Sequence, residues 1–506
     1  MRQYHIFTVG WDPPFARYFM APIAAQTGFL CTHGIVGDAR RVPVIRQQYP
    51  EGRWVSISKA AADPLPQPDY ELLASLEGDG VPTMRSMVRG DRVLRYRPPD
   101  EAFGYATLLA RRLFAALEEA KPDLVLGSYD SIHAAVGLGV ARALGIPWVA
   151  MAFTVIPDDR TWFCRGLTPD QMVPTAVSVN DSLRQRATEL MERVRSRNVQ
   201  VAAYRPPQSF GPKVRQVLAH GRNLGRRLAS RDSLGVDRYT YPTIAERAAD
   251  LARRKRNSLA LRGMPMLHAP PERRYAFFPL HMAPESTVDT WAPMYQNQLG
   301  LAMQVALALP AHVDLVVKLH FSDPDSYSPD QLDPLARTPG VHIAHPGASA
   351  AAFLERASLV VGIAGTANLE AALLGKPVLL FGDSPYQHFP ATRRAVQPDG
   401  LHLQVRDMLD LNPPTDAEIV EAYAAYLARF MPGRINDWGR PITDVERKRL
   451  AACFEAICRL ASDPAVRDSW YKQPPFAGDS TAAVHPRVSA ASAASVDITS
   501  ILRRSR

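Results

Sequence analysis

Residues 359–382 read LVVGIAGTANLEAALLGKPVLLFG, which spells strand, glycine turn, helix, stop and second strand in that order. Leu359, Val360, Val361 and Gly362 make a short β-branched and apolar run that closes in a tight turn. Thr366 is the expected N-cap of a helix over Ala367 to Leu374, Gly375 stops it, and Lys376-Pro377 leads into the apolar strand Val378 to Phe381. A helix starting directly after a parallel strand leaves unpaired N–H groups and a positive dipole end at the carboxyl edge of the sheet, which is a seat for phosphate. Glu370 is expected in the first turn, within reach of a ribose diol. The plain alternative is one more βαβ unit, with Gly365 serving only the turn and Glu370 only the helix dipole. GTANLE has neither the glycine spacing of a dinucleotide loop nor a G-K-[ST] sequence, so NAD and Walker-type fingerprints are absent.

The same grammar occurs in the first third of the chain. Tyr4 to Val9 is an expected strand, Gly10 to Pro14 a loop, Tyr18 to Gln26 a helix and Phe29 to Thr32 a strand. Asp123 to Gly127 is a strand, Ser128 to Ser131 a polar turn, Ile132 to Leu144 a helix and Trp148 to Phe153 a strand. A second series opens with Tyr275 to Leu280, then a loop at His281 to Glu285, a helix Gln296 to Ala308, a strand Asp314 to His320 and a strand Val341 to Ala344. Two α/β domains with doubly wound, Rossmann-like sheets follow, rather than one long sheet. The expected division is an acceptor-side domain over 1–180, a basic helical insert over 181–270, a nucleotide-sugar domain over 271–412, C-terminal helices over 413–476 and a mobile tail over 477–506.

A length of 506 residues is too great for one core, and 46% hydrophobic with 22% charged residues is ordinary for a folded protein. The net charge of +9 is concentrated between Arg184 and Arg231 and in Arg253, Arg254, Lys255 and Arg256. That pattern fits a solvated helical face, or a surface for an anionic partner such as a membrane leaflet or a phosphorylated lipid-linked acceptor. Nucleic acid is not expected as a partner, because few aromatics interleave with the basic residues. Cys31, Cys164, Cys453 and Cys458 show no C-x-x-C spacing, which suits a reducing cytoplasm. No secretory leader is apparent, and no run reaches the roughly 20 apolar residues of a spanning helix. Any membrane association is therefore expected to be peripheral, at the inner face.

Ligands of open α/β sheets sit beyond the carboxyl ends of the strands. In the second domain those loops offer His281 and Glu285, then Lys318 and His320, then Gly365, Thr366 and Glu370. Lys318 and His320, two apart on an expected strand, would share a face and neutralise a leaving phosphate. In the first domain Asp12, Asp130 and His133 are candidate acid/base groups for activating a hydroxyl, Asp12 and Asp130 having turn formation as the plain alternative.

The segments YAFFPLHMAPESTVDTWAPMYQNQ, LVVKLHFSD and GTANLEAALLGKPVLLFG together resemble the capsule polysaccharide biosynthesis family, which includes Kdo transferases. The likeness covers roughly Tyr275 to Phe389 and the rest only in layout. It implies a GT-B architecture: two Rossmann-like domains facing across a cleft, a nucleotide-sugar donor in the C-terminal one, and a saccharide or glycolipid acceptor. On it, His281 and Glu285 line the donor cleft, Lys318 and His320 approach the phosphate, and Gly365, Thr366 and Glu370 hold phosphate and ribose. Members using CMP-sugars have His-Pro at the end of the lysine strand, where this chain has His320-Phe321; its own His345-Pro346 comes one strand later. The donor stays open between CMP-Kdo and a UDP-sugar. No DxD-like metal motif stands near the donor loops, so a metal-independent transfer with no cofactor is expected, the nucleotide-sugar being a substrate. Two rivals share the fold: a hydrolysing UDP-sugar 2-epimerase, and a non-catalytic scaffold for polysaccharide assembly.

Overall fold

A computed structural model of the protein describes residues 2–11, 13–36, 47, 50, 52–59, 63–78, 80–175, 177–197, 237–396, 398–434, 441–467 and 469–471. Two sheets organise them. The first contains β1 (His5–Val9), β2 (Leu30–Ile35), β3 (Arg53–Ser56), β4 (Leu124–Gly127), β5 (Trp148–Phe153), β6 (Arg160–Cys164) and a late strand, β13 (Met431–Pro432), in the order β13-β6-β5-β4-β1-β2-β3. Its five strands β3-β2-β1-β4-β5 are parallel, while β6 and β13 extend it in antiparallel fashion. The second contains β7 (Tyr275–Pro279), β8 (Asp314–Lys318), β9 (Val341–Ala344), β10 (Leu359–Gly362), β11 (Val378–Leu380) and β12 (Thr392–Arg394), ordered β12-β11-β10-β7-β8-β9 and parallel throughout.

Counted from its own first strand, each sheet runs 3-2-1-4-5, the doubly wound Rossmann order. The direction of winding therefore reverses between β1 and β4 in one sheet and between β7 and β10 in the other. Such a switch point leaves a crevice at the carboxyl edge, between loops that diverge to opposite faces.

Side-chain alternation explains why both sheets are covered on both faces. Along β7, Tyr275 and Phe277 enter one core while Ala276 and Phe278 enter another. Along β1, Ile6 faces one side and Phe7 and Val9 the other. Helix α1 (Pro99–Ala120) has Pro99 at its first position and buries Tyr105, Leu109 and Leu113, and α2 (Ile132–Ala143) is capped by Ser131. Gly127 is required where it is, because a Cβ there would collide with the indole of Trp148 on the neighbouring strand.

The described part of the insert consists of α3 (Asp181–Arg195) and α4 (Ile244–Ala260). Helix α5 (Gln298–Ala308) follows β7, α6 (Thr366–Leu373) follows β10, and α7 (Asp416–Ala428) and α8 (Asp444–Ser462) close the chain. Helix α7 packs on α3, and its Ile419, Tyr423 and Leu427 belong to the core that also holds Trp162 of the first sheet and Phe277 of the second. After α7 the chain re-enters the first domain: β13 pairs with β6, α8 buries Phe454 and Ile457 beside Phe19, and the Trp470 indole donates to the Trp148 carbonyl at 3.0 Å.

The arginines of α3 do not form a free basic face. Arg184 pairs with Glu421 at 2.8 Å and Arg195 with Asp416 at 2.7 Å, both on α7. These pairs are exposed and screened by solvent, so they add little to stability. Asp12, the basic residues 198–231 and the tail 477–506 lie outside the described residues. Among the described residues no helix is long and apolar enough to cross a membrane.

Candidate active site

The loops after β7 and β10 meet at the second switch point. His281 immediately follows the β7 segment and is buried; its backbone N–H donates to Gln298 Oε1 at 2.8 Å, and its carbonyl accepts from Gln298 Nε2 at 3.3 Å. Gln298, itself buried, thus clamps the loop to the start of α5. His281 Nδ1 lies 2.9 Å from Glu285 Oε2. Burial alone would raise the Glu285 carboxyl, but His281 beside it, with help from His320 and Thr287, holds it below the ordinary glutamate range. An ionised carboxylate can only accept, so Nδ1 carries the proton and Nε2 is left as the reactive nitrogen.

That nitrogen faces the other loop. A Cβ on Gly365 would sit 3.0 Å from His281 Cε1 and 3.2 Å from Nε2, so glycine is what lets the imidazole approach the start of α6. Gly365 is also the N-cap of that helix, with its N–H donating to Asn368 Oδ1 at 3.2 Å and its carbonyl accepting from the buried Tyr386 hydroxyl at 2.6 Å. Thr366, expected as the cap, is the first helical residue instead. Asn368, three residues on from Gly365, supplies the N3 half of a capping box, its side chain accepting from the N-cap N–H; the half that an N-cap threonine side chain would have made to the Asn368 N–H has no counterpart in glycine.

Glu370 stands one position further along α6 than expected, just outside the first turn. It is half-buried, and among the described residues no ion pair or hydrogen bond involves its carboxyl group. Burial pushes this carboxyl up to about 7. A carboxylate without a partner is a standing acceptor for donors that the protein does not supply.

Lys318 is the last residue of β8, but Leu315, Val317 and Leu319 all enter one core, so the alternation runs past the strand end and leaves Lys318 and His320 on the other side together. Lys318 is buried, with Nζ donating to the carbonyls of Pro346 (2.8 Å) and Leu319 (3.2 Å), and burial lowers its ammonium to about 8. Burial lowers the His320 imidazole, which also feels the charges of Glu285, His281, Asp323 and Lys318. Its Nδ1 accepts from Ser322 N–H at 3.2 Å. The loop beyond is braced by the insert, since Arg254 of α4 pairs with Asp323 and, at 3.3 Å, with Asp325, while Asp323 Oδ2 accepts from Ala283 N–H at 2.9 Å. Of the basic run at 253–256, Arg254 is thereby drawn onto this loop, and Arg253 Nη1 donates to the Ser326 carbonyl at 3.2 Å.

The first sheet contributes Asp130 from the loop after β4. Its Oδ2 accepts from the Ser286 hydroxyl at 2.9 Å and pairs with Arg92 at 3.2 Å, so one switch point touches the other directly. Tyr129 and Trp291 pack across the same junction with ring centroids 5.5 Å apart. His133 stands apart. It is buried against Tyr105 (3.0 Å) and Thr240 (3.3 Å), and burial lowers it to about 3, so it is a neutral hydrogen-bonding member of the first-domain core. Among the described residues no group of three or more His, Cys, Asp or Glu side chains stands together as metal ligands.

No family model matches the chain. No curated protein matches it either. Among solved structures, a β-Kdo 2,4 transferase, KpsC of Thermosulfurimonas dismutans, is 14% identical, with 65% of this chain and 87% of that one covered and a TM-score of 0.33. A protein of Listeria monocytogenes described as a putative UDP-N-acetylglucosamine 2-epimerase is 12% identical over 92% of this chain and 99% of its own, with a TM-score of 0.31. The glycosyltransferase VinC in complex with dTDP is 14% identical over 84% and 95%, with a TM-score of 0.27. At these values the fold is established by the chain's own strand orders.

Arg92, Arg95, Asp289, Gln298 and Tyr386 were not among the sequence candidates. Asp289 carried a signal, being a polar residue of the loop after His281 that tertiary structure buries; Gln298 is also buried, but it lies 17 residues beyond His281 and its local sequence does not point to the site. Arg95 comes from a 3-10 turn in the other domain, and nothing in its local sequence points to the site.

Proposed function

We propose that this protein is a glycosyltransferase of the GT-B type, moving a sugar from a nucleotide-sugar, CMP-Kdo or a UDP-sugar, to a capsule or surface polysaccharide or its lipid-linked acceptor. The observation that carries the reading is the meeting of His281–Glu285 with the N-cap of α6, the helix that also carries the unpartnered carboxyl group of Glu370. In this reading the Glu370 carboxylate accepts from the ribose hydroxyls, and the first N–H groups of α6 receive the phosphate. Lys318 and His320 supply positive charge to the departing nucleotide. His281 Nε2 takes the proton of the attacking acceptor hydroxyl, and Glu285 holds the imidazolium that forms. Asp130 borders the acceptor side. Charge on the leaving phosphate is met by the helix end and these side chains, without a metal ion.

Thermal unfolding with CMP, UDP, GDP and TDP tests the donor site, using Glu370→Ala as control. A nucleotide at 100 times its Kd adds about 2.7 kcal/mol to the native state. One nucleotide is expected to stabilise the wild type and not the variant. If none does, the non-catalytic scaffold takes precedence. Incubation with the matching nucleotide-sugar then separates the enzymes: release of free nucleotide and an epimerised sugar without any acceptor would identify a hydrolysing epimerase instead.

A further inference from the structure

Three arginines of the first domain, Arg89, Arg92 and Arg95, reach into the loop that carries Glu285. Arg89 Nε donates to Gln296 Oε1 at 3.1 Å, and Arg92 lies between Asp130 (3.2 Å) and Ser286 (3.5 Å). Arg95 is the one that is buried. Its side chain is 12% exposed and that of its partner Asp289 7%, with Nη2 to Oδ2 at 2.8 Å. The guanidinium is pre-set by its own domain, Nε donating to the Asp91 carbonyl at 2.9 Å and Nη2 to the Gly90 carbonyl at 3.0 Å. Gly90 is needed for this approach, since a Cβ there would lie 2.6 Å from the Asp289 carbonyl oxygen.

The same Asp289 oxygen accepts a second bond, from the Glu285 backbone N–H at 3.1 Å. A continuous set of bonds therefore runs from the first domain to the reactive imidazole: Arg95 to Asp289, Asp289 to the Glu285 backbone, and the Glu285 carboxylate to His281 Nδ1. Burial raises the Asp289 carboxyl, and Arg95 works against that rise. We infer that Arg95 is a positioning residue which, through Asp289, sets the Glu285–His281 pair only when the two domains are docked. Donor seated on the second domain alone would then meet an unaligned base, and alignment would come with closure onto the acceptor side. The inference rests on the reading of His281–Glu285 as the reacting pair.

The test compares Arg95→Met, Arg95→Lys and the exchange Arg95→Asp with Asp289→Arg in the full-length protein. Arg95→Met is expected to lower kcat about 100-fold, as an ångström-scale misplacement does, with donor KM within about threefold. Arg95→Lys keeps a cation beside Asp289 and is expected to recover most of that loss. The exchange restores an ion pair between the domains and leaves the Glu285 N–H without its acceptor, so kcat stays low. Full kcat in the exchange variant would overturn the inference, as would an Arg95→Met enzyme that loses only KM. A readout independent of turnover is the 19F resonance of 5-fluorotryptophan at Trp291, on the same loop, assigned through Trp291→Phe. Its displacement in Arg95→Met and return in Arg95→Lys supports positioning of the loop, and an unmoved line overturns it. If the wild type turns over no donor while the resonance moves, the functional reading fails and the interdomain link stands.

Discussion

Replacing Glu370 by glutamine should stabilise the protein at alkaline pH and leave it nearly unaffected in acid. The ordinary glutamate value is 4.5, and burial raises this carboxyl to about 7 in the folded chain. Between those values the folded protein keeps the proton and the unfolded chain has lost it. Stability therefore falls as pH rises through this window and is level above it. At about 1.4 kcal/mol per pH unit the full window is worth about 3 kcal/mol, and partial exposure of the side chain trims this to about 2. Glutamine has nearly the same shape and no proton to lose. Relative to wild type, Glu370→Gln should gain about 2 kcal/mol between pH 5 and pH 8, or roughly 4–8 °C in the melting of a domain of this size. Calorimetric scans of both proteins at pH 5, 6, 7 and 8 measure it. A wild-type-minus-variant difference that stays constant across the series would refute the picture of an unpartnered, half-buried carboxyl group. The same group should couple to ligand: ribose hydroxyls favour the ionised form, so nucleotide binding at pH 6.5 should release a proton from wild type and none from Glu370→Gln.

Further outcomes follow from the neighbouring contacts. Glu285→Gln keeps the shape but cannot hold an imidazolium, so turnover should fall about 100-fold with donor affinity little changed, as steady-state kinetics would show. Gly365→Ala pushes a methyl group against the His281 ring and should weaken nucleotide binding about tenfold in calorimetric titration, with the melting temperature nearly unchanged. Arg254→Ala leaves the buried Asp323 without its cation and should destabilise the protein by about 3 kcal/mol in denaturant unfolding, with Arg254→Lys recovering part. Lys318, lowered to about 8, loses its charge as pH rises through that value, so nucleotide affinity should peak between pH 7 and 8, and Lys318→Met should abolish the alkaline fall.

Much of the second domain was legible because its signals are local. The β-branched run of β10, the glycine turn, Gly375 with its positive φ and the apolar β11 each carry their own reason, and their limits fall within a residue of those read from the sequence. The switch-point loops carrying His281, Glu285 and Gly365 were found for the same reason. Strands β3, β6 and β13 were not: RWVS, RTWFC and the two-residue Met431-Pro432 have no self-sufficient pattern and exist only through a partner strand. The 22 residues of α1 were also missed, although Pro99 with Asp100 and Glu101 marks a helix start. His133 misled for a physical reason: proximity in sequence to a sheet edge says nothing about which side of a helix a residue occupies, and this one faces the core.

The re-entry of β13 and α8 into the first domain has a consequence for the order in which the protein is made. On the ribosome the residues that pair with β6 and cover Phe19 emerge only after the whole second domain. The first domain must wait, with one sheet edge open and one core face bare, until β13 and α8 have been made. A fragment ending after the second sheet would retain that open edge permanently, and a graft exchanging first domains between related chains must carry β13 and α8 along with them.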